Sequence, residues 1–463
     1  MPGRSIWCWE EAPAVSKDKT VQAYLDTVAA QIRWKRARAV VTWELARHLE
    51  DQRSAFAAAG YANAEQLAVE EMGDPVSVGV ELDCIHRPKP QWGLLALTIL
   101  LALTGVLLRI GLTASWGPYD MEAEPSKALF AFGLGCAALF AGYFLDYARL
   151  GRHGRGIYLA ALAVGLTALA VSPRVNGCAY YARCVTLYYP VIYAFWLYSC
   201  RRRGRSGLVL AVLGGVPLAA VCILAPYAFG LFLLLLTGFV LLIIAAWHDW
   251  FGIGRRKSVG SIVLGAAALS AAVLLYAYRS DFISRRLACA LHPELDPAGA
   301  GYQASAIRKA LGASQWLGEG TWGASLPFEQ SLPGCDSDAF LTTLIYKLGW
   351  LPFLCVVLAF TALTAWLLHR CLKQKSQLGK VAALAVVMTL GIQALCSLAW
   401  NLGFPLSSAS FPLIMGNLST VLNMGLIGLA LSVFRGERLP WEPTYEGTRL
   451  LPRYRIRITL QKV

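Results

Sequence analysis

The chain has 463 residues, 57% of them hydrophobic and only 15% charged, a balance too apolar for a soluble domain of this length. Its net charge of +14 is spread over separate short clusters and forms no continuous stripe, which argues against nucleic acid as a partner. Apolar runs of about 16 to 22 residues recur, long enough to cross a hydrocarbon core as helix, so the expected fold class is an all-α polytopic membrane protein.

No long apolar run precedes Trp92, and Trp7 and Trp9 stand among acidic residues, so the N-terminus shows no signal-peptide pattern. Residues 1–90 are expected to form a domain of their own, with a compact helical prefix over 18–86. Trp34 to Ala59 reads as a helix with Val41, Leu45 and Leu49 on one face and Gly60 as its stop. Asn63 and Gln66 make a capping-box spacing, and Gly73, Asp74 and Pro75 supply a stop, a cap and a first-turn proline. Glu44, His48 and Glu50 read as a solvated helix face before they read as metal ligands. The pattern Glu44-Leu45, His48-Leu49 followed by Met72-Gly73-Asp74-Pro75 resembles the small helical prefix domains fused to bacterial permeases, which implies a cytoplasmic regulatory or docking module.

Ten spans are expected over 91–435, at about 92–113, 126–146, 156–172, 185–200, 207–225, 229–247, 259–278, 339–368, 381–400 and 411–434. Basic loops at Arg149, Arg152 and Arg155, at Arg201 to Arg205, at Arg255 to Lys257 and at Arg370 to Lys380 alternate with loops holding few cations. The positive-inside rule makes these loops cytoplasmic, with both termini on that side. Outside lie the acidic loop with Asp120, Glu122 and Glu124, the loop from Pro173 to Arg183, the turn at Pro226, the loop from Asn401 to Ser410 and a large insert over 279–338. Arg109 and Asp146 sit at span ends, where snorkelling accounts for them. The tail 436–463 alternates Arg453, Arg455 and Arg457 with Tyr454, Ile456 and Ile458, and reads as a surface strand, a segment on anionic head groups or a solvated end.

The insert is where chemistry is expected. Asp338 stands where it gives way to an apolar helix, so it is either a helix N-cap or a carboxylate placed at the bilayer edge for catalysis. Asp336 reads as a solvated loop residue. Arg279, Arg285, Arg286, Arg308 and Lys309 are candidate cations for an anionic substrate. The Gly-rich stretch Leu317 to Gly323 lacks phosphate-loop spacing and reads as a flexible loop. The twelve cysteines contain no C-x-x-C pair and no metal site is expected; a Cys289 to Cys335 bridge stapling the insert is one alternative.

Three ordered stretches resemble the SEDS family (FtsW, RodA and SpoVE). They are Gly301-Tyr302-Gln303 with Gly312, Leu317-Gly318 and Gly320; Ser337-Asp338, Phe340 and Leu348-Gly349; and Pro405, Pro412, Ser419-Thr420 and the run Asn423 to Val433. The resemblance covers about 92–435, and the family's ten spans, external insert and cytoplasmic termini match the pattern read above. It implies a peptidoglycan glycosyltransferase polymerising lipid II, an undecaprenyl-linked disaccharide-pentapeptide, in growth, division or sporulation. Asp338 is the implied catalytic residue, a class B penicillin-binding protein with one span the implied partner, and a divalent cation such as Mg²⁺ an allowed cofactor.

The chain also departs from the family. Where the fourth span normally opens on Gln-Pro-Ser-Glu and a following Lys, Tyr189-Pro190-Val191-Ile192 and Phe195 stand here. Arginines expected after Asn176-Gly177 are replaced by Ala179, Tyr180 and Tyr181, with Arg183 nearby. The Gln-Pro-Asp-Leu-Gly turn is Ala225-Pro226-Tyr227-Ala228-Phe229-Gly230, and the acidic pair of the eighth span is Tyr346-Lys347. Lys347 either replaces a lost cation near Asp338 or snorkels. Loss of intramembrane polar groups, usually kept for function, favours one alternative, a non-catalytic scaffold binding a transpeptidase or lipid II; a membrane transporter is the other rival for any ten-span chain, with few mid-membrane charges to support it.

Overall fold

The computed structural model describes residues 19–436 apart from 89, 114–124, 176, 300, 324–326, 405–408 and 415–416. Trp7 and Trp9, Asp120, Glu122 and Glu124, Asn176, Pro405 and the basic tail from Arg449 lie outside the described residues. The chain divides at Cys84 and Ile85 into two compact units.

The first unit holds α1 (Lys19–Gln31), α2 (Lys35–Ala58), α3 (Ala64–Glu71) and α4 (Pro75–His86). Val41, Leu45 and Leu49 recur every fourth residue of α2 and are buried together with Tyr24, Leu25, Val28 and Ile32. Gly60 follows α2 with φ +87, the left-handed geometry of a helix stop. Asp74 caps α4, its Oδ2 accepting from the Ser77 N–H at 2.9 Å and the Ser77 hydroxyl at 2.7 Å. Asn63 precedes α3 but makes no side-chain cap bond, so the expected capping box does not form there.

The second unit runs through α5 (Trp92–Thr113), α6 (Pro125–Phe144), the short α7 (Tyr147–Arg152) and α8 (Gly154–Val171). A two-residue hairpin, Arg174–Val175 with Cys178–Ala179, leads into α9 (Tyr180–Thr186) and α10 (Tyr189–Ser199). Then come α11 (Gly204–Leu213), α12 (Gly215–Leu224), α13 (Ala228–Trp247) and α14 (Arg255–Arg279). The insert is itself helical, with α15 (Asp281–Leu291), a 3-10 turn Pro293–Leu295, α16 (Tyr302–Gly312) and α17 (Phe328–Ser331). The chain continues through α18 (Phe340–Leu348), α19 (Trp350–Lys373), α20 (Gln377–Asn401) and α21 (Asn417–Arg435).

Among the described residues, nine helices are long and apolar enough to cross a membrane, α11 and α12 counting as one. The chain is an all-α, multi-pass membrane protein. The segment expected to be the fourth span is instead two pieces, α9 and α10. Pro190 at the first turn of α10 lacks an N–H and disfavours helical backbone before it. α10 packs against α8, α13 and α20, with Tyr189, Val191, Tyr193, Phe195 and Tyr198 all buried; a short helix apolar all round belongs inside a bundle. The expected eighth span is likewise divided, at Gly349, whose φ of +100 only glycine adopts without strain.

α6 and α21 lie backbone to backbone, since a Cβ at Gly142 would come within 2.7 Å of the Gly425 carbonyl oxygen. The Ser432 hydroxyl donates to the Leu145 carbonyl at one end of that seam.

Candidate functional site

α18 carries the candidate carboxylate at its entry. Its N-cap is Ala339, which makes no side-chain cap bond, so Asp338 is not the helix cap. Asn401 takes over that task. Its Oδ1 accepts from the Thr342 N–H at 2.9 Å and from the Thr342 hydroxyl at 3.0 Å. Its Nδ2 donates to the Asp338 carbonyl at 3.0 Å and to the Ser397 carbonyl at 2.9 Å. Asn401 is fully buried and is the last residue of α20, where the sequence had suggested the first residue of a loop. It holds the Asp338 backbone while leaving the carboxylate uncommitted to helix ends.

Asn401→Leu is therefore expected to strand the Thr342 N–H. A buried donor without a partner costs about 1–3 kcal/mol, so a lower melting temperature of the detergent-purified protein checks this.

The Asp338 charge bears on two residues from elsewhere in the bundle, Arg183 on α9 and Tyr227 in the turn before α13. The Arg183 guanidinium lies over the Tyr180 ring at 5.7 Å and the Tyr227 ring at 6.0 Å. Burial works against its charge, but Asp338, joined by Tyr227 once that hydroxyl ionises at high pH, outweighs it and leaves Arg183 more firmly cationic than an ordinary arginine. Burial foremost, against the pull of Arg183, pushes the Tyr227 hydroxyl up and keeps it a neutral donor. Tyr227 was legible only as the residue replacing a family Asp. Its role as a neighbour of Asp338 depends on how α9 and the turn before α13 meet.

Asp336 is not solvated. Its carboxylate lies 3.9 Å from Arg109 Nη2, with side chains only 12% and 7% exposed. Arg109 on α5 is thus turned into the protein and does not snorkel.

Three of the other candidate cations are engaged elsewhere. Lys347 Nζ bonds Glu319 at 2.7 Å and Glu329 at 2.8 Å, stapling α18 to the insert instead of reaching for head groups. Arg308 donates from Nε to the Gly403 carbonyl at 3.2 Å and from Nη2 to the Leu291 carbonyl at 3.3 Å. Lys309 sits 5.0 Å over the Trp322 ring. Arg279 and Arg285 are exposed on α14 and α15; Arg286 lies on α15 and its side chain is outside the described residues. Of the cations read from the sequence whose side chains are described, Arg183 comes within electrostatic range of Asp338.

The insert around them is firm. Phe328 stacks on Tyr346 at 4.2 Å, over Leu332, Ile307 and Ala310. The stretch expected to be a flexible loop is pinned, the Gly318 N–H donating to the Leu348 carbonyl at 2.9 Å and the Gly320 N–H to the Tyr346 carbonyl at 2.8 Å. Cys289 and Cys335 are buried and not bridged to each other.

The staple gives a pH dependence. Burial raises the Glu329 carboxyl, but its bond to Lys347 outweighs this and leaves it below the usual carboxylate range. Its contribution is then complete above the unfolded carboxylate value near pH ~4.3 and is lost as pH falls through the lower folded value. Native protein should lose melting temperature over that acid window more steeply than Glu329→Gln.

A divalent cation needs oxygen ligands, usually carboxylates. Around Asp338 the neighbouring charge is Arg183, Asp336 is paired with Arg109, and Glu319 and Glu329 with Lys347. Among the described residues no group of three or more His, Cys, Asp or Glu gathers. This donor set does not fit a resident divalent ion.

The family described as "Cell cycle protein", FtsW/RodA/SpoVE, matches residues 185–439, more than half of the chain. The chain belongs to the FtsW/RodA/SpoVE family. Its relatives include a protein of Xanthomonas oryzae pv. oryzae named probable peptidoglycan glycosyltransferase FtsW, 26% identical over 409 residues, covering 82% of this chain and 81% of the relative. A protein of the same name in Halorhodospira halophila is 28% identical, covering 68% of this chain and 80% of the relative. In fold, the chain resembles one from a peptidoglycan synthase complex that coordinates polymerization and crosslinking, with a TM-score of 0.58 at 20% identity, over 75% of this chain and 98% of that one. Thermus thermophilus rod shape determining protein RodA matches with a TM-score of 0.50 at 19% identity, over 75% of this chain and 97% of that one. Within this family fold, Asn401 binds the backbone of the Asp338 segment, Arg109 pairs with Asp336, and Arg183 and Tyr227 feel the Asp338 charge.

Proposed function

We propose that the chain is a peptidoglycan glycosyltransferase that polymerises lipid II, with Asp338 as its base. The observation that carries this is the split treatment of Asp338: Asn401 fixes its backbone, while its side chain is spared from capping and its charge is felt by Arg183 and Tyr227. In this reaction the acceptor sugar hydroxyl gives its proton to the Asp338 carboxylate as its oxygen bonds to the anomeric carbon of the donor. The bond from that carbon to the pyrophosphate breaks, and the lipid pyrophosphate leaves with the electron pair. Arg183 is the cation to meet the developing negative charge, and the neutral Tyr227 hydroxyl is a donor beside it. A substrate whose polyprenyl tail stays in the bilayer suits a carboxylate near a membrane edge.

The same reading puts the insert outside and both termini in the cytoplasm, on the distribution of basic loops. Residues 1–90 act as a cytoplasmic regulatory or docking domain, and a class B penicillin-binding protein is the partner. The aromatic and apolar α10 favours one rival, a scaffold that binds lipid II or a transpeptidase without polymerising. Purified protein given fluorescent lipid II, alone and with a candidate transpeptidase, decides between them. Glycan ladders support the enzyme; lipid II binding without ladders supports the scaffold.

A further inference from the structure

Trp316 and Leu317 are consecutive large apolar side chains left 73% and 67% exposed, on a stretch that cannot fold back to hide them. The backbone holds them out. The Trp350 N–H donates to the Gln315 carbonyl and the Leu351 N–H to the Trp316 carbonyl, both at 3.1 Å. Just beyond, Gly318 turns with φ +92 and bonds back to Leu348 at 2.9 Å. Gly349 makes room for this crossing, since a Cβ there would come within 2.6 Å of the Trp316 carbonyl oxygen.

Those bonds set the height of the pair. Trp350 and Leu351 are the first residues of α19, one of the long apolar helices. The same helix leaves Leu351, Leu354 and Leu358 exposed, spaced three and four apart along one face, as a lipid-facing stripe is. Trp316 and Leu317 stand against the top of that helix. Two exposed apolar groups on a rigid turn in water would be a standing penalty; at the head-group level a tryptophan is at home.

We propose that the Trp316-Leu317 turn inserts into the outer membrane interface and anchors the insert to the lipid surface. The turn is bonded to the C-terminal end of α18 at Tyr346 and Leu348, and Asp338 precedes the other end of that helix. Nine residues at about 1.5 Å each separate the two. The anchor therefore sets where the Asp338 segment rides relative to the head groups. This inference does not rest on the polymerase reading, and it stands equally for a non-catalytic protein.

The test is tryptophan quenching of the full chain in nanodiscs made with lipids brominated near the head of the acyl chain, near its tail end, or not at all. The emission lost on Trp316→Phe isolates the Trp316 component. It is expected at short wavelength, strongly quenched by the shallow bromine and weakly by the deep one. Leu317→Trp in the Trp316→Phe background should restore a quenchable component and excludes an indirect effect of the first substitution. A Trp316 component with water-like emission, unquenched in either lipid, overturns the proposal, as does quenching that appears only when lipid II is added, which would assign the turn to the substrate tail.

Discussion

Asp338→Asn is expected to reduce glycan polymerisation by about 10²–10⁴-fold, the range of a positioned general base, with only a small drop in melting temperature from losing a charge that supports Arg183. The reason lies in what each part of Asp338 does. Its carbonyl is held by Asn401 at 3.0 Å, and asparagine keeps that carbonyl and nearly the same volume. Its carboxylate caps no helix, so removing the charge strands no backbone donor. Ladder length and initial rate on fluorescent lipid II, read beside a melting curve, separate chemistry from folding. An Asp338→Asn protein that polymerises at the native rate would sink the assignment of the base. Arg183→Gln serves as a companion: if Arg183 meets the leaving pyrophosphate, its loss should also slow polymerisation, and Arg183→Lys should recover part of the rate because it keeps the charge but not the planar fork.

Much of this was legible where a local pattern decides the structure. Apolar runs announced the long helices, Gly60 and Asp74 announced a stop and a cap, and the motif around Ser337-Asp338 located the candidate base. What was not legible depended on partners distant in sequence. Asp336 reads as solvated until Arg109 is brought to it from α5. Lys347 reads as snorkelling until Glu319 and Glu329 close over it. Asn401 carries no sequence signal at all, since an Asn after an apolar run is an ordinary helix end, and only the approach of α18 turns it into a clamp. The two divided spans fall between these cases: Pro190 and Gly349 were visible, yet the length of the surrounding apolar runs outweighed them.

The departures from the family pattern acquire a physical sense in this frame. α10 brings aromatic and aliphatic side chains where the family brings charges, and they are buried against α8, α13 and α20. That face of the fourth span is used as core. The polar neighbours of Asp338 come instead from either side of it in sequence, Arg183 from α9 and Tyr227 from the turn ahead of α13. One cation and one neutral donor, from segments before and after a helix that has become apolar, thus lie within electrostatic range of the carboxylate. If Asp338 is the base as proposed, a site built this way keeps a counter-charge with fewer ionised groups to desolvate.

Arg109→Met is expected to be the most damaging single change outside the immediate site. Arg109 is buried and Asp336 nearly so, and removing one member of a buried pair costs up to about 3–5 kcal/mol because the other charge is left uncompensated. Asp336 lies two residues before Asp338, so relaxation of that stretch toward solvent should also lower polymerisation. The double variant Arg109→Met with Asp336→Leu should melt well above Arg109→Met alone, since replacing both charges by apolar groups removes the stranded carboxylate. The four melting temperatures form a cycle whose non-additivity measures the coupling. Additive effects would mean the two charges do not support each other and that α5 holds the Asp338 segment by packing alone. Strong coupling with activity restored in the double variant would assign the pair a structural task. Strong coupling with activity still lost would mean that the positive charge of Arg109 itself acts on the Asp338 site.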